Sequence, residues 1–391
     1  MATPRNNTYS VGSGGSVYAG KINAPAWLTA AVQEWATIPG TIGGQQLGQF
    51  YSGIALRDDP TRVELAVPAA GGHNNGGVWD RQNRVQAIRL DVDAPAWVTR
   101  EPDSDPTGWD GNAPAPGVQY FPSDNAPVPR HLYDSVQWMP QMGCYLIGGD
   151  YAGYTAQIAI TEQRGYVPAG DSAGDWAARG SYPNLPAPHC LLACVNQLTG
   201  DGLGRDVFTG QHYRVSGITG AWTPVTLSGA TTVMAPGGLA FEPVRNRVVQ
   251  ISGGGWLTQA SGTATVWMDY TTGVTYPITF NASAAWTDFQ ANASKFVGSA
   301  LVWAPNLGCF FFYNGNTGSP ILSGQSAKVY RITPRSDWSQ PWDMQILDVT
   351  GVTPPNIGAG LGVYCKFRYI RRWSTLVLAV DGANVHYLRV A

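Results

Sequence analysis

The chain contains little charge. Only 13% of its 391 residues are Asp, Glu, Lys or Arg, and the formal net charge at pH 7 is −2. That is about half the usual share of charged residues, and a near-neutral balance is not typical of proteins that bind nucleic acids or membrane surfaces. No apolar run reaches the length of a membrane span. The N-terminal stretch MATPRNNTYSVGSGG has no apolar segment, so we expect synthesis in a cytoplasm without a signal peptide.

Patterns that mark disulfides, metal sites or catalysis are also scarce. The five cysteines are an odd number, and three lie beside or within apolar runs: Cys144, Cys309 and Cys365. Cys190 and Cys194, next to His189, permit a metal site, but no second ligand pair follows at zinc-like spacing, so we interpret them as buried thiols. No nucleophile, base and orienting residue share a recognisable motif. We therefore expect no enzyme and no cofactor.

Glycine, proline and aromatic residues are abundant instead. The 48 Gly and 28 Pro residues together approach a fifth of the chain, and both types destabilise helix interiors. Low-complexity disorder would share this composition, but disordered chains have few aromatic residues, whereas this one has 15 Trp and 18 Tyr. The composition therefore predicts many short β-strands joined by turns.

One pattern recurs along the chain. The segments SVQWMPQMGCYLIGGD (135–150), GLAFEPVRNRVVQISGGG (238–255) and ALVWAPNLGCFFFYNGN (300–316) each join two apolar strands. The first strand carries an aromatic residue followed two positions later by proline, and the second ends at glycine. VYCKFRYIRRWSTLVLAVDG (363–382) keeps this form without the proline. Both strands are too apolar for a solvent-facing side, so such hairpins must stack on one another.

Each hairpin belongs to a larger unit of four strands. A strand of alternating polarity is predicted after each glycine end, TAQIAI (155–160) being one example, and in several units a Trp then opens a shorter outer strand. Six glycine positions mark six units: 71, 148, 202, 253, 315 and 382. Four-stranded units repeated around an axis form a β-propeller. Since the last unit lacks an outer strand, we expect Trp35 in AVQEWATIPG (31–40) to open that strand and close the ring.

The sequence thus predicts an all-β, six-bladed propeller over residues 31–391, preceded by a short extended N-terminal arm, residues 1–30. The aromatic-x-Pro hairpins, Gly-Gly ends, alternating strands and Trp residues resemble those of kelch and galactose-oxidase-like propellers. Copper oxidases of that group use two His, two Tyr and a Tyr–Cys crosslink. The five His residues here (73, 131, 189, 212 and 386) lie in different units, so copper chemistry is not expected.

The composition also resembles that of virion proteins of tailed bacteriophages, including the six-bladed nozzle proteins of short-tailed phages. This resemblance implies a structural virion protein located in the tail. It would form a homo-oligomeric ring, with a hexamer as our estimate, through which DNA passes transiently, and it would bind neighbouring adaptor, portal and fibre proteins rather than a membrane. Two alternatives remain: a carbohydrate- or receptor-binding propeller, and a galactose-oxidase-like enzyme.

Two segments are candidate partner-binding regions. In the arm, Tyr18, Trp27 and Leu28 are too apolar for a mere tail, although Trp27 and Leu28 could instead fold back onto the sixth blade. The insertion at residues 103–131 is long enough to be functional. Its Trp109, Tyr120 and Phe121 are expected to dock a partner or a glycan, or else to cover one rim of the ring.

Three polar clusters each allow a functional and a purely structural interpretation. Lys366, Arg368, Arg371 and Arg372 surround a predicted hairpin turn and could contact a nucleic-acid backbone, or simply be solvated. The loop GGHNNGGVWD (71–80) could bind a sugar or an ion, although a connection capped by Asn is our preferred interpretation. Asp103, Asp105 and Asp110 lack the EF-hand spacing of a calcium site. We therefore expect no metal.

Overall fold

The structure is a computed structural model. It describes residues 23–391 except 44–52, 70–82, 106–118, 122, 131, 133, 150, 153–157, 160, 188–189, 207–208, 232–233, 235–237, 253–263, 294–298, 314–327, 355–362 and 381–382. Tyr18, Trp109, Asp110 and the whole loop at 71–80 therefore lie outside the described residues. The described residues form β-sheets arranged as six blades in a ring.

The strands follow the chain from blade to blade. The first strand is β1 (Glu34–Thr37), and blade one contains β2 (Ala55–Asp59), β3 (Arg62–Pro68), β4 (Val85–Arg89) and β5 (Trp97–Glu101). Blade two contains β6 (Val136–Met139), β7 (Cys144–Ile147), β10 (Arg164–Ala169) and β11 (Ala173–Trp176), with a separate hairpin of β8 (Tyr151–Ala152) and β9 (Ile158–Ala159). Blade three contains β12 (Cys190–Val195), β13 (Gly202–Asp206), β14 (His212–Val215) and β15 (Trp222–Val225).

The remaining blades have the same plan with small additions. Blade four contains β17 (Leu239–Glu242), β18 (Arg247–Ser252), β19 (Ala264–Asp269) and β20 (Val274–Pro277), flanked by the parallel β16 (Ser228–Gly229). A helix, α1 (Ala284–Asn292), precedes blade five, which contains β21 (Ala300–Ala304), β22 (Cys309–Tyr313), β23 (Val329–Thr333) and β24 (Asp343–Ile346). Blade six contains β26 (Phe367–Ile370), β27 (Thr375–Leu378), β28 (His386–Arg389) and β1, flanked by the parallel β25 (Thr350–Gly351).

The first strand of each blade lies nearest the ring axis. Each of these strands forms one edge of its sheet, and they contact one another in the order β2, β6, β12, β17, β21, β26. Large apolar side chains fill the space between neighbouring sheets. Between blades four and five, for example, the rings of Trp267 and Trp338 lie edge-on with centroids 5.8 Å apart, in a buried cluster that includes Val249 and Phe310. The propeller is therefore held by contacts between stacked sheets, as the apolar hairpins predicted.

The turn of the repeated hairpin explains its sequence pattern. In blades two, four and five the last turn residue has a positive φ: Gly143 (66°), Asn246 (56°) and Gly308 (60°). Gly adopts this left-handed conformation without a Cβ clash, and Asn tolerates it better than most residues. In the hairpin without proline, Ser374 takes the same place with φ 48°. The next residue begins the second strand in all four hairpins.

The N-terminal strand closes the ring, as predicted. Strand β1 pairs antiparallel with β28, with Trp35 opposite Leu388. Trp35 is 2% exposed and lies 6.2 Å from the ring of Tyr313 in blade five. The last blade is therefore built from both ends of the chain.

Two details of the predicted repeat are wrong. TAQIAI is not the third strand of blade two, because β10 pairs with β7, and the described residues of that segment, Ile158–Ala159, form a strand of the separate hairpin. Strand β10 contains Pro168, opposite Gly174, and proline is uncommon inside strands. The sequence pattern therefore favoured the alternating segment TAQIAI over the true third strand. In blade three, Gly202 begins β13 instead of ending it. Glycine therefore does not mark the same point in every blade.

Candidate functional site

A cavity lies on the ring axis at the end where the first hairpin turn of each blade is found. Its volume is about 310 Å³. Five of the six blades contribute to its wall: blade one (Leu56, Asp58, Asp59, Pro60), blade two (Gln137, Trp138, Pro140, Gln141), blade three (Val195, Asn196, Gln197, Leu198, Thr199), blade four (Pro243) and blade six (Arg368, Arg371). We call this space the axial cavity. Because so many blades border it, only a closed ring can form it.

Charged groups in the wall also join blade six to blade one. Asp58 accepts hydrogen bonds from the backbone N–H of Arg371 (3.0 Å) and from the side chain of Arg372 (2.8 Å). Burial raises the pKa of Asp58, and the Arg372 charge offsets only part of that effect. For Asp59 burial acts in the same direction, but hydrogen bonds from Thr61 and Arg57 outweigh it and the pKa is lowered. Both aspartates thus have cationic partners already.

Arg368 projects from β26 into the same region. Its Nε and Nη2 donate to the carbonyl oxygen of Ile54 at 3.1 and 2.5 Å, and Nη2 also lies 3.4 Å from the carbonyl oxygen of Val136. The residue is 9% exposed. Because two backbone carbonyls from blades one and two fix its guanidinium, Arg368 has little rotational freedom.

The predicted basic cluster is mostly buried. Lys366 is 1% exposed, and the side chain of Arg372 is 8% exposed in its ion pair with Asp58. Arg371 is half-buried and lines the axial cavity with Arg368. Arg368, Arg371 and Arg372 therefore lie at the contact between the last and first blades, and Lys366 is buried. Binding of a nucleic-acid backbone by these residues stays a prediction.

The structure places Trp27 and Leu28 against the propeller, the alternative that the sequence left open. Trp27 is 7% exposed, its indole Nε1 donates to the carbonyl oxygen of Leu90 (3.0 Å), and its own carbonyl accepts from the hydroxyl of Tyr387 (2.8 Å). Its ring meets those of Tyr387 and Trp373 edge-on. Leu28 packs against the same core. These contacts join blade one to blade six.

The described part of the long insertion is also folded onto the ring. Phe121 is fully buried with Val128, Leu185, Cys190 and Tyr213. Tyr120 is half-buried beneath the guanidinium of Arg179, which lies 3.6 Å from the centroid of its ring. Asp103 is paired with Arg84. Partner binding by Tyr120 and Phe121 is untested, although Phe121 offers no surface in this conformation.

The five cysteines and the two described histidines, His212 and His386, are buried. Burial raises the pKa of all five cysteine thiols to about 11 or 12, which disfavours the reactive thiolate. Cys190 and Cys194 are both buried in β12. Burial lowers the pKa of His212 to about 4 and lowers that of His386 as well. Among the described residues, no three His, Cys, Asp or Glu side chains are grouped as metal ligands.

Sequence reasoning missed a buried ionic network between blades one and two. Glu64 is fully buried on β3, where it pairs with Arg100 of β5 and Arg62 (3.1 Å) and accepts a hydrogen bond from Tyr145 of β7. Burial and then the Glu64 charge raise the pKa of Tyr145. Asp171 of blade two adds ion pairs to Arg62 and to a second arginine of blade one. One feature of the sequence could have indicated this network: Glu64 is the single charged residue within the apolar strand VELAVP.

No protein-family model and no curated protein matches the chain. Among solved structures it is similar to the Malassezia sympodialis allergen Mala s 1 (10% identity, 81% of this chain and 82% of that chain, TM-score 0.38). It is also similar to the PQQ-bound aldose sugar dehydrogenase of Streptomyces coelicolor (12%, 90% and 97%, 0.39) and to the WD40 domain of Toxoplasma gondii coronin (8%, 92% and 88%, 0.37).

At these TM-scores the similarities identify no family and no function. The protein is a six-bladed β-propeller. Its described residues include no helix that is long and apolar enough to cross a membrane.

Proposed function

We propose that the protein is a structural subunit of a tailed-bacteriophage virion, with a kelch-like propeller that binds neighbouring tail proteins through its N-terminal arm. In this proposal the subunits form a nozzle-type ring, a hexamer, through which DNA passes. The observation that carries the proposal is the anchoring of the arm. Trp27 holds the chain at the contact between blades one and six, so residues 1–22 are tethered to a fixed point of a rigid body.

Residues 1–22 are long enough to reach a neighbouring subunit. Twenty-two residues extend at most about 75 Å, which exceeds the diameter of a small domain. A segment that orders only on a neighbouring subunit loses conformational entropy on binding, and its apolar residues must compensate for that loss. Tyr18 is one such residue. The basic cluster gives no comparable support to the passage of DNA, since three of its four side chains, those of Lys366, Arg368 and Arg372, are buried.

Two deletions test the proposal. Removing residues 1–20 leaves Trp27 and β1 in place, so we expect an unchanged thermal melt and circular dichroism spectrum but loss of the oligomer. Native mass spectrometry of the full chain should show a species of about 250 kDa, six times 41.8 kDa. Removing residues 1–40 instead takes away both the Trp27 anchor and the closing strand, so the fold itself should be destabilised.

Two results would contradict the proposal. If the protein lacking residues 1–20 assembles like the full chain, the arm is not the connector. If the full chain is strictly monomeric and never enters virions, it is not a structural tail subunit.

A further inference from the structure

The axial cavity has the dimensions and the wall of a small-molecule site. Its volume of about 310 Å³ lies at the lower end of the range of about 300–1,000 Å³ for ligand pockets. Apolar side chains such as Leu56 and Val195 alternate around it with amides such as Gln137 and Asn196. A ligand that fits this wall has both apolar C–H surface and several hydrogen-bonding groups.

Arg368 gives the cavity a cation that has no carboxylate partner among the described residues. The two aspartates in the wall are already paired, Asp58 with Arg372 and Asp59 with Arg57. Arg368 takes part in none of the ion pairs among the described residues, and its Nη1 donates no hydrogen bond to any of them, since Nε and Nη2 make all its contacts. A guanidinium that is nine-tenths buried gains most from an anionic partner when the surrounding dielectric is low.

We propose that the axial cavity binds a small polyhydroxylated carboxylate, an acidic monosaccharide of the uronic-acid type. The carboxylate accepts a charge-assisted hydrogen bond from Arg368 Nη1. The side chains of Gln137, Gln141, Asn196 and Thr199, which line the cavity, then exchange hydrogen bonds with the sugar hydroxyls. Leu56 contacts the apolar face of the ring. This site is separate from the arm, so the inference does not depend on the proposed structural role.

Calorimetric titration of the full chain with D-glucuronate and with D-glucose tests the proposal. The two sugars share a ring and differ at the carboxylate. We expect glucuronate to bind about 10 to 100 times more tightly, the range for a hydrogen bond to a charged group. Arg368→Gln should remove this preference. Arg335→Gln, which changes an exposed ion pair with Asp343 in blade five, should leave it intact.

A second variant keeps the test valid if Arg368→Gln fails to fold. Gln141 is exposed and lines the cavity, so Gln141→Trp should narrow the entrance and weaken glucuronate binding at least tenfold without altering Arg368. Equal affinity for the two sugars, or no binding of glucuronate, would overturn the proposal. So would unchanged binding by Gln141→Trp, or full displacement of glucuronate by an equal concentration of acetate, which carries the charge without the hydroxyls.

Discussion

The clearest consequence of the anchored arm concerns Trp27. The structure makes this residue part of the propeller, because its ring is buried between blades one and six and its indole Nε1 and carbonyl are both hydrogen-bonded. Trp27→Ala removes the ring and the indole donor, leaving a cavity between Leu90 and Tyr387. If Trp27 were only a partner contact, the isolated subunit would keep its stability.

The expected loss can be estimated from burial. Replacing a buried Trp by Ala costs about 3–5 kcal/mol. The entropy of unfolding of a chain this long is roughly 0.8 kcal/mol/K if all 391 residues unfold together. The melting temperature should therefore fall by about 4–6 °C. Trp27→Phe keeps most of the apolar contact but loses the hydrogen bond to Leu90, so its melting temperature should fall by about 1–2 °C.

Differential scanning calorimetry of the protein lacking residues 1–20, which keeps Trp27 and which we expect to be monomeric, measures these shifts. Leu28→Ala is the matched control, because Leu28 is only partly buried beside the same core, and its shift should be smaller than that of Trp27→Ala. A change of less than about 1 °C for Trp27→Ala would refute the reasoning. Loss of oligomers without loss of stability would point back to Trp27 as a partner contact.

Three further outcomes follow from other parts of the ring. Glu64→Gln should lower the free energy of unfolding by about 3–5 kcal/mol, since Arg100 keeps a buried charge without its partner, and urea denaturation that shows no change would contradict this. Burial holds the pKa of His212 at about 4 against 6.5 when unfolded, so its contribution to stability is complete above pH 6.5 and is lost as the pH falls towards 4. His212→Gln should therefore show a flatter dependence of unfolding free energy on pH in that window, and equal slopes would count against it. Gly143 has a φ of 66°, and no atom lies near an added Cβ, so a substitution there meets conformational strain without a clash. Gly143→Val should therefore lower the free energy of unfolding by about 1–2 kcal/mol, whereas Gly143→Asn should lower it less in the same denaturation assay.

The sequence predicted the parts of the fold that rest on local chemistry. A proline after an aromatic residue and a Gly or Asn at the end of the turn specify the hairpins of blades two, four and five, because the turn needs a left-handed residue at Gly143, Asn246 and Gly308. The closing strand was predictable because blade six would otherwise lack an outer strand. Blade three was harder to place, since its hairpin has no such proline and Gly202 lies at the other end of the strand.

The candidate site was not predictable in the same way, because its contacts are among the most distant along the chain. In KFRYIRRW the arginines have the local pattern of an exposed basic turn. Their partners are Ile54 and Asp58, more than 310 residues earlier, and only closure of the ring brings them within hydrogen-bonding distance. Blades one and six lie at opposite ends of the chain. The contact between them depends on the arginines of this segment and on Trp27. Arg368 thus has two separable roles: Nε and Nη2 hold the first and last blades together, while Nη1 is left for a ligand in the cavity that their contact creates.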